Sequence, residues 1–122
     1  MGFSYEIDRE KKCMITRVSG PITYKDLMEH MTAEVRDQGQ TYPELFDARE
    51  AKAAFNSDEV RQFIAFLKHL ASKSKLGPTA VVVSDDLTYG MFRMMSILLD
   101  DACVVQPFRD IEEAKKWLHW HC

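Results

Sequence analysis

Cysteine is scarce in this chain of 122 residues: three in all, Cys13, Cys103 and Cys122. The odd count and wide spacing argue against a disulfide framework, and Cys13 and Cys103 sit in apolar, strand-like runs where buried thiols are expected. A reducing, cytoplasmic compartment follows. No apolar run reaches the length of a membrane span, so no stable membrane anchoring is expected. The opening MGFSYEIDREKK is polar and strand-like rather than a signal peptide, and it lacks the Ser or Thr of a myristoylation motif. No excess of positive charge exists: the net charge is -3, without a basic stripe, which excludes a nucleic-acid partner on electrostatic grounds. Also missing are a Gly-rich phosphate loop, HExxH and GxSxG.

What is present is ordinary globular composition, 46% hydrophobic and 29% charged residues, in a length suited to one domain over 1–122. SYEID (4–8) and CMITRVS (13–19) read as a strand pair joined by a short turn, and Gly20-Pro21 then breaks the chain. A helix starts at Thr23, which with Asp26 forms a capping pair. It presents Leu27, Met28, Met31 and Val35 on one face and ends at Gly39. ELFDA (44–48) is a short strand, followed by an Ala-rich loop. Val60, Phe63, Ile64, Leu67, Leu70 and Ala71 form the apolar stripe of a second helix.

TAVVVS (79–84) shows no alternation, as a strand covered on both faces would. DDLTYGMFRMMSILL then carries a third helix with Met91, Met94, Met95, Leu98 and Leu99 as its stripe. ACVVQPF (102–108) is the last strand, and a helix capped by Asp110 and Glu113 follows. The order β-β-α-β-α-β-α-β-α implies an α/β single domain: a mixed, mostly parallel five-stranded sheet packed with four helices through right-handed crossovers.

Chemistry-bearing residues gather around the third helix. Asp85 and Asp86 can cap it. Gly90 is costly inside a helix, so close approach of a backbone or a ligand would explain it. Tyr89 and Arg93 are four apart and share a face, where the Arg can lie on the ring or pair with Asp85 or Asp86. That places a polar cluster at the carboxyl end of a strand, where open α/β sheets tend to bind ligands. A structural clamp and a binding surface both fit it. Asp47 and Arg49, at the end of the third strand, could bridge or line a cleft. Asn56 or Ser57 caps the second helix, and Ser57 is a candidate phosphorylation site, although Asp58 and Glu59 would repel a phosphate.

HWHC at 119–122 offers His119, His121 and Cys122, but residues two apart on a helix do not face one another, so no metal site is expected. His30 and His69 lack a nearby Cys or Ser partner. Nothing in the pattern makes a case for an enzyme or a cofactor.

The element order, together with LFDARE, FNSDEV, AVVVSDDLTYGMFRMM and VVQPFRDIEEAKKWL, resembles the SpoIIAA-like STAS domains. The likeness is to their uncharacterised branch, also termed STAS/SEC14-like. The matching positions are Tyr89, Gly90, Met91, Arg93 and Met94, then Phe108, Arg109, Asp110, Ala114, Trp117 and Leu118, and the likeness covers most of the chain. It implies a bacterial protein of βα units on a mixed sheet with an antiparallel first strand. It also implies a non-catalytic regulatory or protein-binding role related to anti-sigma-factor antagonists. Those antagonists switch by phosphorylation of Ser in an Asp-Ser-x-Gly stretch. Here the stretch is Asn56-Ser57-Asp58-Glu59, with Asn for Asp and Glu for Gly. The alternative expectation is a carrier or sensor of a small apolar, lipid-like ligand held between sheet and helices. The expected partner is thus a protein or such a ligand, with a homodimer compatible with an exposed sheet edge.

Overall fold

The computed structural model describes residues 2–122. Nine elements alternate along the chain: β1 (Gly2–Asp8), β2 (Cys13–Ile22), α1 (Tyr24–Arg36), β3 (Glu44–Ala53), α2 (Ser57–Lys73), β4 (Thr79–Val83), α3 (Asp86–Leu99), β5 (Val105–Phe108) and α4 (Ile111–Leu118). The strands form one sheet in sequence order, β1-β2-β3-β4-β5. β1 and β2 are antiparallel, and every later pairing is parallel. Three successive right-handed crossovers running the same way across a sheet lay their helices on one face. α1, α2 and α3 therefore cover one side with Val18, Phe46, Ala48, Val81 and Val83 beneath them. α4 closes the other side over Leu45, Ala80 and Val82. β4 is enclosed from both sides, as its unbroken apolar run predicts; each of its valines at 0–1% exposure contributes about 1.5–3 kcal/mol by burial.

Local signals set most boundaries. Thr23 and Asp26 form a complete capping box for α1. Asn56, rather than Ser57, is the N-cap of α2 and shares its box with Glu59. Two strands outrun their expected ends. β2 continues through Gly20 and Pro21 to Ile22, because its pairing with β1 stops at Ser19. Beyond that point β2 has no partner on that edge among the described residues, and a proline without an N–H is tolerated there. β3 follows it as far as Ala53, pairing Glu50–Ala53 with Ser19–Ile22 after a register shift. The stretch REAKA carries the charge and alanine content of a loop, yet it is strand because its backbone pairs with β2 and Ala51, 2% exposed, joins the core beneath α1–α3.

The cysteines require a correction. Cys103 is a free buried thiol as expected. Cys13 is buried but not free: it is paired with Cys122 in a disulfide, with the two Cα atoms 6.6 Å apart, inside the usual range for such a bond. α4 stops at Leu118, and His119 adopts a left-handed conformation that turns the chain back toward the β1–β2 end.

Candidate functional site

The least expected feature lies between the sheet and α1. His30 and Glu34 are four apart and so share a face of that helix. With Leu27 they are its buried residues, so the stripe that turns inward contains two polar side chains among apolar ones. Glu44, the first residue of β3, meets them from the sheet. His30 Nε2 lies 2.9 Å from Glu44 Oε2 and 3.1 Å from Glu34 Oε2. The second approach is an ion-pair distance without hydrogen-bond alignment, since Glu34 Oε2 has no hydrogen-bond partner. Thr16, from β2, donates its hydroxyl to Glu44 Oε2 at 2.6 Å. The rings of Phe3, Tyr5 and Phe46 surround the imidazole, with centroids 5.2–5.7 Å away.

The protonation states follow from this packing. Burial alone would discharge His30, but the carboxylates of Glu44 and Glu34 outweigh it and push the imidazole up to about 10. Burial, with Glu44 beside it, pushes Glu34 up to about 8 against the pull of His30. Burial also acts to raise Glu44, yet the His30 charge, with hydrogen bonds from His30 and Thr16, holds it below the usual carboxylate range. At neutral pH the cluster is thus a charged imidazole, an ionised Glu44 and a protonated Glu34. Its net charge is zero, the arrangement that a low-dielectric interior tolerates.

This cluster forms one wall of a partly enclosed cavity of about 50 Å³. The remaining lining is mainly apolar and includes Leu27, Met31, Phe63, Leu67, Phe92 and Met95. Among the described residues, three buried side-chain polar atoms lack a hydrogen-bond partner: His30 Nδ1, Glu34 Oε2 and Gln40 Oε1. All three residues line the cavity. Gly77 shapes the rim: it donates to the Gln40 carbonyl at 2.9 Å, and a Cβ there would collide with the Tyr42 carbonyl. Cys103 also lines the cavity, but burial pushes its thiol up to about 11. It is therefore a neutral thiol and a poor nucleophile at neutral pH. His30, Glu34 and Glu44 form a donor set of metal-ligating type, yet with a protonated imidazole they are already neutralised by one another.

The cluster expected at the start of α3 is arranged differently. Asp85 is the N-cap and accepts from the Thr88 N–H at 2.9 Å and the Thr88 hydroxyl at 2.7 Å; these bonds lower its pKa. The Thr88 hydroxyl oxygen also accepts from Ala53 N–H at 2.9 Å, joining the end of β3 to the helix. Asp86 pairs with Arg109 at 2.7 Å, and the Arg109 guanidinium lies 4.6 Å over the Tyr89 ring. The clamp on Tyr89 is therefore made by Arg109, from the β5–α4 connection. Arg93 is exposed and appears in none of the ion pairs among the described residues. Gly90 is exposed too, and an added Cβ would meet nothing within 4 Å, so no close backbone approach explains it.

Asp47 is not brought to this cluster. It alternates with Phe46 and Ala48, which face α1–α3, and so stands on the opposite face of the sheet. There it lies beside Arg17, Ser19 and Glu50 and is held by a two-pronged contact with Arg49 at 2.7 and 2.9 Å. That contact keeps its pKa low. Ser57 is exposed in the first turn of α2.

No family model matches the chain, nor does any curated protein. Among solved structures it is similar to an uncharacterised DUF3478-family protein with a SpoIIAA-like fold from Shewanella loihica PV-4. The TM-score is 0.62 with 17% identity over 96% of this chain and 93% of that one. No helix is long and apolar enough to cross a membrane among the described residues. The resemblance read from the sequence therefore holds at the level of architecture: the chain is a single α/β domain with the SpoIIAA-like fold.

Proposed function

We propose that this protein is a non-catalytic module that binds a small, uncharged, mainly apolar ligand with one hydrogen-bonding end, between the sheet and α1–α3. One observation carries the reading: an apolar cavity whose three unpartnered polar atoms belong to adjoining residues of its wall. A buried polar atom without a partner costs roughly 1–3 kcal/mol. A ligand group that accepts from His30 Nδ1–H and donates to Gln40 Oε1 would recover that cost. Because the cluster is neutral, an ionic ligand would bring an uncompensated charge. The space, about 50 Å³, admits a short apolar group. A lipid-sized ligand needs α1 or α3 to give way, which the flexible Met31 and Met95 side chains on those helices favour.

Native mass spectrometry of gently purified protein tests this. A retained small neutral mass is expected, and it should be lost in Leu67→Phe, which narrows the cavity. Wild-type protein found only at its bare mass would remove the proposal.

A second reading, a cytoplasmic regulatory module docking a protein partner, is favoured by the outer face of α3. Asp86, Gly90, Arg93 and Ile97 follow one another at helical spacing, and all are exposed. Ile97 is 63% exposed and nearby Leu87 64%. A glycine within an exposed stripe lets a partner come close. On this reading Arg93→Ala and Leu87→Ser each weaken capture of a specific partner without lowering thermal stability, and Ser57→Ala weakens it only where phosphorylation regulates docking. Stability loss with unchanged capture would return Arg93 to a structural role.

A further inference from the structure

We infer that Cys13, Cys122 and Asp8, when the two cysteines are reduced, form a binding site for a thiophilic divalent cation of the Zn²⁺ class, and that disulfide formation closes it. Three separate pieces of chain converge there. Asp8 and Cys13 are directly opposed partners across the antiparallel β1–β2 pair, so their side chains leave the same face of the sheet. Cys122 is delivered by the turn after α4. That turn is fastened by the Trp120 N–H to the Lys115 carbonyl at 2.9 Å and by His121 Nε2 against the Lys11 carbonyl at 2.8 Å. Trp120 packs with the cluster beneath α4.

One sulfur from each cysteine and one Asp8 oxygen lie within 4.8 Å of one another. A tetrahedral Zn²⁺ with Zn–S of about 2.3 Å spaces its donors by roughly 3.5–3.8 Å; the two sulfurs, bonded to each other in the disulfide, part to that spacing on reduction, with the Asp8 oxygen already near both. The fourth position falls to solvent, because the triad opens on a surface cleft that Glu6 and Glu10 also line. Their charges add to that of Asp8 and outnumber the one opposing charge of Arg9 on the same lining, so the cleft is net acidic and favours a cation. Two thiolates select zinc-like ions over Mg²⁺ or Ca²⁺.

The same closeness permits the disulfide, so the two states exclude each other. Reduction by a trialkylphosphine consumes one water: the protein disulfide becomes two thiols, and the phosphine leaves as its oxide. Binding of M²⁺ then releases the two thiol protons.

The test uses the full chain, reduced with phosphine under inert gas and titrated with Co²⁺ as a spectroscopic probe. One equivalent should bind with a thiolate-to-cobalt charge-transfer band, and Zn²⁺ should displace it. Cys122→Ser, at an exposed position that leaves folding intact, should abolish the band. Asp8→Asn should weaken binding about tenfold or more, and air-oxidised protein should bind nothing. The inference is overturned by a reduced wild type without the band, by a band that survives Cys122→Ser, by equal binding after oxidation, or by unchanged affinity in Asp8→Asn.

Discussion

The two faces of the sheet bury polar groups by different means. Under α1–α3, Thr16, His30, Glu34 and Glu44 are all between 0% and 6% exposed and are held by one another. Under α4, the sheet beyond the Leu45 cluster is left open. Asp47, Arg49, Arg17 and Glu50 meet water there, and their pairing replaces hydration only in part. A buried pair broken on one side leaves an uncompensated charge, whereas a surface pair broken on one side is rehydrated. Chemically similar side chains therefore have unequal worth here, set by which face three crossovers covered.

The largest effect should come from breaking the inner face. Glu44→Ala strands a charged His30 and the Thr16 hydroxyl and is expected to cost about 3–5 kcal/mol, read by denaturant unfolding. Asp47→Ala on the outer face should cost under about 1 kcal/mol. Equal losses would erase the contrast.

The second effect is in pH. His30 and Glu34 both titrate higher in the folded state than in the unfolded chain. A group with a raised folded pKa holds extra protons in the native state, so its effect on stability falls as pH rises. For Glu34 the window runs from about 4.5 to about 8, and for His30 from about 6.5 to about 10. The melting temperature should therefore decline steadily from neutral pH toward pH 10. Glu44 works the opposite way: its lowered pKa adds stability above the ordinary carboxylate range, lost as acid protonates it. A His30→Gln variant that kept the full alkaline decline would show that the buried cluster is not its source.

Smaller effects sharpen the picture of α3. Thr88→Val removes both the hydroxyl contact to Asp85 and the acceptor for Ala53 N–H, and should cost about 1–3 kcal/mol. Arg109→Ala, which frees Asp86 and Tyr89, should cost no more than about 1 kcal/mol, visible in a thermal melt. Gly90→Ala should stabilise by about 0.5–1 kcal/mol, since the site is helical and open. Stabilisation accompanied by lost partner capture would mark Gly90 as a contact residue; destabilisation would mean that a neighbour approaches it after all.

Much of the architecture was legible. The unbroken valines of β4, the stripe of α2 and the capping pairs at Thr23 and Asp110 are local patterns whose cause lies within a few residues. The inward pair His30 and Glu34 also left a local trace: polar residues at i and i+4 share a stripe with Leu27. Apolar residues alone point to Met28, Met31 and Val35 instead, and so miss the pair. Glu44 left no trace, since it opens ELFDA as any strand-leading charge would. It reaches His30 only because β3 lies parallel to β2 with α1 folded back over both. Arg109 belongs to the segment that carries the family resemblance, but nothing near it in the chain marks Tyr89 as its partner.

By itself, then, the sequence determined the run of elements, their apolar faces and the caps that start the helices, because hydrophobic period and capping chemistry act over one or two turns. Tertiary structure alone decided that His30, Glu34 and Glu44 share a buried proton balance beside a cavity, that Arg109 rather than Arg93 covers Tyr89, and that Cys122 returns to Cys13. The physical reason is that the contacts between elements, His30 with Glu44, Arg109 with Tyr89 and Cys13 with Cys122, depend on crossover direction and sheet register, which join residues between 14 and 109 positions apart.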